Sequence, residues 1–497
     1  MMKDDNDKKI ILPYLLGISG ITFWFILGFP FAERNEAYSW ITKFEQSSFI
    51  NLLTKTFLTI ITYRPISQTV SWLLYRLGNN EIYLIQILNY LLLILAYWYL
   101  IKTVKEKYLL SVLLFLCGLL FITGYYYIFQ LQGIFYSPMI LYAATLYNKR
   151  DLLLNTNKNI ILLVIWTLVV TGIHTYSIII FQFFLIALIL SNKKNWTKRN
   201  LFLLLIASLC TIAIIIFNSG SSSSLSFGNA LENLKNSFFS LELSGKISPL
   251  ILLITFLTIF LINDKKIRYL LIIFSCITYY ILYVNNLPVL FLLSSIIIIK
   301  SILKREWILL SIISSMLLFP SIVESGAPTK SIMLLTFLIF GTSIGLTKFE
   351  SVLLKQKNVL YGSILSVLLI MAILTRLNIN VPILNKFTLP IKQEREKTFQ
   401  LKKIINWYLL SDYKECYLSL ESDPIPLNKK NLNLERRNIA PTNQGYLDEY
   451  ILYKKKISSI PNKDYKLVIT FGDEVIADRK IIYQSYSKHA GYARLYY

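Results

Sequence analysis

Apolar residues fall in long unbroken runs, separated by short polar stretches, over the first three quarters of the chain. A helix that crosses a bilayer needs about 20 mostly apolar residues. Thirteen runs come near that length: 10–29, 82–101, 108–126, 131–147, 159–173, 176–191, 201–217, 249–262, 269–285, 287–301, 307–321, 331–347 and 359–375. The first follows Lys8 and Lys9, is too long for a signal-peptide core and lacks a small-residue cleavage site, so it reads as an uncleaved signal anchor. Past residue 375 the pattern changes. KQEREKTFQLKKIINWYLL predicts a helix of mixed charge with one apolar face. YKLVITFGDEV, IADRKIIYQSY and GYARLYY predict strands, because they are β-branched and aromatic and are split by turn residues. The expected fold class is an all-α polytopic membrane protein with a small α+β C-terminal domain. Residues 1–375 form the multi-span membrane domain, with a long first loop at 30–81, and residues 376–497 form the second domain.

Composition fits this division. The chain is 55% hydrophobic and only 16% charged, whereas a soluble domain carries about 25% charge. The excess of 51 Lys and Arg over 28 Asp and Glu is a sign often read as nucleic-acid binding. Its distribution says otherwise, and no nucleic-acid partner is expected. Alternate loops between the runs carry 22 Lys and Arg, and the remaining loops carry 8 over more residues. By the positive-inside rule the N-terminus is cytoplasmic, and thirteen spans put the C-terminal domain outside an inner (plasma) membrane. Four cysteines and two histidines leave too few soft ligands for a Cys/His zinc site.

The outward segments are 30–81, 218–248 and 376–497. In 218–248 a serine run precedes an amphipathic stretch expected on the membrane surface. The first segment concentrates the chemistry. Glu33, Arg34 and Glu36 follow the first span directly, at a depth where ionisable groups cost free energy unless paired or facing a wet cavity. An amphipathic stretch follows from about 41 to 60, then ISQTVSWLLYRL at 66–77, which is apolar, too short to span, and predicted to lie along the outer surface.

The order AERNEA at 32–37, YRPI at 63–66 and LGNNE at 77–81, leading into the second span, resembles the GT-C superfamily of polytopic glycosyltransferases, in particular the lipid A aminoarabinose transferases and protein O-mannosyltransferases. Two departures stand out: Glu33 and Glu36 occupy the place where that family commonly has Asp, and Ile66 the place of a frequent second proline. The resemblance implies a GT-C-like fold and inverting transfer of a hexose or pentose from a polyprenyl-phosphate carrier to an envelope glycan, lipid or protein.

The residue types suit that chemistry independently. Sugar transfer from a lipid phosphate needs a carboxylate to take the acceptor proton, a role for Glu33 or Glu36. It needs fixed cations on the departing phosphate. Arg64 fits, since a guanidinium fork matches phosphate oxygens, with Arg34 and Lys330 as helpers. The pair is expected to converge at the outer leaflet. No metal ligand set is assigned and no cofactor is required, although Glu33 and Glu36 could hold an oxygen-ligated Mg or Mn. Tyr63, His174 and Glu324 are candidate substrate contacts, and Tyr125, Tyr126, Tyr127, Gln130 and Gln132 form an outward aromatic-amide cluster.

Each has a plainer reading. Glu33–Arg34–Glu36 could be an ion cluster ending a helix, Arg64–Pro65 an interfacial anchor and helix start, His174 a boundary histidine bonded to backbone, the Glu324–Lys330 loop a mere turn, and the tyrosines part of the interfacial belt. Two other functions remain open. An envelope polysaccharide polymerase would carry several arginines in two large outward loops, and 218–248 has none. A lipid-linked oligosaccharide flippase or other transporter would show polar or broken helices near the bilayer middle, whereas these runs are nearly all apolar. The chain contains no Walker P-loop, dinucleotide glycine fingerprint, HExxH or kinase motif.

Overall fold

The computed structural model describes residues 4–31, 36–52, 65–120, 128–129, 131, 133–154, 156–192, 195–218, 229–245, 248–260, 262, 264–322, 328–346, 351, 362–368, 370, 382–420, 444–456, 465–472, 475–476 and 479–497. The chain is mostly helical, with one small sheet. The helices are α1 (Asp4–Gly28), α2 (Glu36–Gln46), α3 (Pro65–Leu77), α4 (Tyr83–Thr103), α5 (Lys107–Leu120), α6 (Gly133–Lys149), α7 (Asn157–Ile173), α8 (Ser177–Ser191), α9 (Lys198–Asn218), α10 (Ala230–Gly245), α11 (Ser248–Phe260), α12 (Lys265–Val284), α13 (Leu290–Leu303), α14 (Trp307–Ile322), α15 (Pro328–Ser343) and α16 (Pro382–Leu410). Then come β1 (Tyr417–Leu420), α17 (Gln444–Lys455), β2 (Lys466–Phe471), β3 (Ile481–Ser487) and β4 (Gly491–Tyr496). Among the described residues three helical stretches, Ile10–Gly28, Tyr83–Thr103 and Lys265–Val284, are long and apolar enough to cross a membrane. Shorter apolar helices accompany them, which fits a membrane protein.

The chain divides into two compact units. The first comprises Met1–Phe25, Leu52–Leu74 and Ile87–Ile370. Its middle is α6, buried along nearly its whole length, together with α15, whose Ile332–Phe340 side chains are all closed off. Helix α12 is the opposite case, leaving Tyr269, Ile273, Ile277, Tyr280 and Tyr283 exposed, an apolar surface of the kind lipid covers. Helices α1 and α5 touch backbone to backbone. A Cβ on Gly20 would lie 2.5 Å from the Phe115 oxygen and one on Gly118 would lie 2.9 Å from the Ile21 nitrogen. Small residues let apolar helices approach this closely where lipid offers no hydrophobic drive, and the Trp24 indole donates to the Leu119 carbonyl at 2.9 Å beside them. Helix α10 packs against α14 and α15 with Ser237 and Phe238 wholly buried, and Phe238 also meets Phe291 of α13.

The second unit gathers Ile26–Asn51, Tyr75–Gln86 and Met371–Tyr497. Its sheet has the order β1-β2-β4-β3, with β1 parallel to β2 and the other pairs antiparallel. Alternate strand residues Leu418, Leu420, Leu467, Ile469, Phe471, Ala493 and Leu495 point into one core. Helix α16 covers it with Leu401, Ile404, Ile405 and Tyr408, an i, i+3, i+4, i+7 stripe, and α17 adds Leu447 and Ile451. Glu396 on α16 fastens the β3–β4 hairpin by accepting from the Ser487 hydroxyl and from the His489 and Ala490 N–H groups.

Candidate functional site

Of the predicted site residues, Glu33, Arg34, Tyr63, Arg64 and Glu324 lie outside the described residues, as do Tyr125, Tyr126, Tyr127, Gln130 and Gln132. Glu36 opens α2 and Lys330 lies in the first turn of α15.

His174 is described fully. It ends α7 in an extended conformation, its N–H donating to the Val170 carbonyl at 2.8 Å. The ring is buried between Phe135 and Tyr136, each with centroids 6.3 Å away, and Nδ1 accepts from the Tyr176 N–H at 3.2 Å. A neutral ring in that arrangement carries its proton on Nε2. These bonds are those of the backbone-bonded boundary histidine. The elbow also meets the start of α3. Ile66 lies against Gly172, where a Cβ would come within 2.6 Å of its Cδ1. Ile66 is the last residue of the YRPI motif and His174 lies two residues beyond Gly172, whereas Tyr63 and Arg64 lie outside the described residues.

Helix α3 begins at Pro65, which suits a first helical turn because it has no N–H to leave unbonded. It buries Ser67, Ser71 and Tyr75 at i, i+4 and i+8 and exposes Leu73 and Leu77. Two serines and Tyr75 thus face inward, while two leucines face outward. The turn LGNNE stops it: Asn79 and Asn80 take positive φ values of 55° and 63°, which asparagine tolerates, and the Asn80 N–H donates to the Tyr75 carbonyl at 2.9 Å.

The second unit holds a charged junction that sequence reading missed. Glu45, near the end of α2, meets Lys454 of α17 at 2.8 Å and accepts from the Tyr75 hydroxyl at 3.0 Å. Burial pushes the Glu45 carboxyl up, but hydrogen bonds from Lys454, Tyr453 and Tyr75 and the Lys454 charge outweigh it, holding the carboxyl below its usual 4.5. Tyr453 moves the other way, raised first by burial and then by its bond to Glu45. Arg76 reaches the C-terminus of α2, Nη2 donating to the Phe44 carbonyl at 3.1 Å, while Nη1 donates to Asn80 Oδ1 at 3.0 Å. The Phe44 carbonyl belongs to the last turn of α2, where a helix lacks its own donors and favours a cation. Glu81 and Lys402 lie 3.8 Å apart nearby. The only advance signal for Glu45 was the amphipathic pattern of 41–60, and nothing marked Lys454 as its partner.

Chemically the junction offers an ionised carboxylate bonded to one ammonium and two phenols, with the Arg76 guanidinium on the adjoining helix end. It holds α2 and the end of α3 to the C-terminal helix. Among the described residues no group of three or more His, Cys, Asp or Glu side chains is placed to hold a metal ion. No protein-family model, curated protein or solved structure matches this chain.

Proposed function

We propose that this chain is a GT-C-type membrane glycosyltransferase, moving a sugar from a polyprenyl-phosphate donor to an envelope glycan, lipid or protein on the outer face of the inner membrane. In this reading thirteen spans put the N-terminus in the cytoplasm and the C-terminal unit outside. Glu33 or Glu36 takes the proton of the acceptor hydroxyl. The acceptor oxygen bonds to the anomeric carbon, the carbon–oxygen bond to phosphate breaks, and the phosphate leaves with the electron pair. Arg64, with Arg34 and Lys330, neutralises the charge that develops there. Tyr63 and Glu324 are the proposed substrate contacts; His174, buried and bonded to backbone, is not among them.

The observation that supports this most is the order of elements over residues 10–103. An apolar span ends at Gly28, α2 begins at Glu36 within the acidic segment, a short helix with an exposed apolar face starts at the proline of YRPI, and the LGNNE turn leads into α4. Glu33→Gln, Glu36→Gln and their double variant test it by whole-cell glycan profiling at matched protein level. Loss of a surface glycan in the double variant supports the reading. An unchanged profile in all three rejects it. Arg64→Ala tests the phosphate role separately, by weakened retention of polyprenyl phosphate on the purified protein.

A further inference from the structure

Gln86 sits in the first turn of α4 with its side chain wholly buried. Its neighbours Leu84, Ile85, Ile87 and Leu88 are apolar, and an apolar side chain would suit a membrane-entering helix better. A buried carboxamide is costly unless both of its polar ends are bonded. Here both are bonded to one residue: Oε1 accepts from the Phe31 N–H at 2.9 Å, and Nε2 donates to the Phe31 carbonyl at 3.1 Å. Phe31 belongs to no helix or strand, yet it is only 4% exposed. Its ring closes over Gly28, where a Cβ would come within 2.3 Å of it. Gln86 therefore does for Phe31 what a neighbouring strand does in a sheet, and Gly28 leaves the space.

We propose that Gln86 is a positioning residue: its carboxamide clamps the chain at Phe31 and so fixes the point from which the acidic segment Glu33–Glu36 departs. Glu33 is two residues further on, a reach of about 7 Å in an extended chain. Gln86 touches no reacting group and acts through the segment that carries the proposed base. This role rests on the transferase reading, while the clamp itself rests on geometry alone. A misplacement of about 1 Å in a reacting group costs on the order of a hundredfold in rate.

The test uses the full chain in lipid nanodiscs for amide hydrogen exchange, and intact cells for glycan profiling. Gln86→Leu removes both bonds at similar volume, and its Phe31 amide should exchange about tenfold faster or more, because local opening is no longer opposed by the clamp. Exchange within α4 and the C-terminal sheet should not change. Glycan product should fall by about 10- to 100-fold. Gln86→Glu keeps an acceptor for the Phe31 N–H and should recover part of both effects, a graded rescue that general unfolding would not give. If Gln86→Leu does not accumulate, Gln86→Glu against wild type decides by the same two readouts. Unchanged Phe31 exchange overturns the clamp. Faster exchange with normal glycans, where the Glu33→Gln/Glu36→Gln double variant loses them, overturns the positioning role. Normal glycans in that double variant reject the transferase reading, and the positioning role with it, while the exchange result still reports on the clamp.

Discussion

Glu45 and Lys454, 409 residues apart in the chain, meet at 2.8 Å and tie the first loop's α2 to the C-terminal α17. Both side chains are partly buried, at 18% and 30% exposure, and the Tyr75 hydroxyl shares the same carboxylate. A fully exposed pair would contribute about 0–1 kcal/mol. A pair that also anchors a phenol should contribute more. Glu45→Gln should cost about 1–2 kcal/mol, since it loses a charge-assisted bond while leaving the Tyr75 contact partly satisfied. In a double-mutant cycle with Lys454→Met, thermal midpoints of the purified chain should show coupling of about 1 kcal/mol. Strict additivity would mean that the two groups do not support each other.

The same carboxylate gives a pH signature. Its folded value lies below the usual 4.5 because bonds from Lys454, Tyr453 and Tyr75 outweigh the effect of burial. The unfolded chain therefore holds the proton more tightly, and Glu45 contributes its full stability above pH 4.5. That contribution fades as pH falls through the folded value. Between pH 7 and pH 3.5 the wild-type thermal midpoint should drop further than that of Glu45→Gln, which has no proton to take up. Parallel curves would assign the acid sensitivity to other carboxylates.

Much of the helical pattern and part of the sheet were legible because they depend on local runs. The apolar runs largely coincide with helices where both are described; strands β2 and β4 fall inside the segments that are β-branched and aromatic, and β3 runs one residue past its segment to Ser487. The helix expected from 392 to 410 is part of the longer α16, which starts at Pro382. Strand β1 and helix α17 escaped notice. Tyr417–Leu420 is only four residues long, and its place in the sheet comes from pairing with Lys466–Ile469, far along the chain. Helix α17 lacks a strong apolar stripe and buries Leu447 and Ile451 only because the sheet is there to receive them.

The site divides in the same way. Pro65 as a helix start, the asparagine turn at 79–80 and the backbone-bonded His174 follow from local chemistry, so sequence could point to each. The Glu45 junction and the Gln86 clamp depend on distant partners, Lys454 and Phe31, and no spacing rule connects them. For the same reason no pattern announced that Ile26–Asn51 and Tyr75–Gln86 belong to one unit with the C-terminal residues.

The α1–α5 crossing makes a prediction about packing. At Gly20 a Cβ would meet the Phe115 oxygen at 2.5 Å and the Leu119 nitrogen at 2.8 Å, both backbone atoms that cannot swing aside. Gly20→Val and Gly118→Val should each cost about 3 kcal/mol or more, at the upper end of overpacking effects. Gly362 is helical with nothing within 4 Å of an added Cβ, so Gly362→Ala should be neutral or stabilising by up to about 1 kcal/mol. Thermal midpoints and monodispersity in detergent separate the cases. Wild-type behaviour of Gly20→Val would mean the two helices do not touch there.

Lys300 gives the last prediction, because its ammonium is spent on a helix end. It is 5% exposed and donates to the carbonyls of Gly341 at 3.0 Å and Thr342 at 3.1 Å, in the final turn of α15. Those carbonyls have no partner within their own helix. Glu106, also 5% exposed, accepts from the Gly345 N–H at 3.1 Å just past the same turn and acts on the Lys300 charge. Lys300→Met keeps the length of the side chain but strands two acceptors and leaves Glu106 without its counter-charge. Each buried carbonyl left without a donor costs about 1–3 kcal/mol. Adding Glu106→Gln removes the uncompensated charge and keeps an oxygen for Gly345, so the double variant should be more stable than Lys300→Met alone. A double variant less stable than Lys300→Met would show that Glu106 contributes through its own bond to Gly345 rather than as the counter-ion of Lys300.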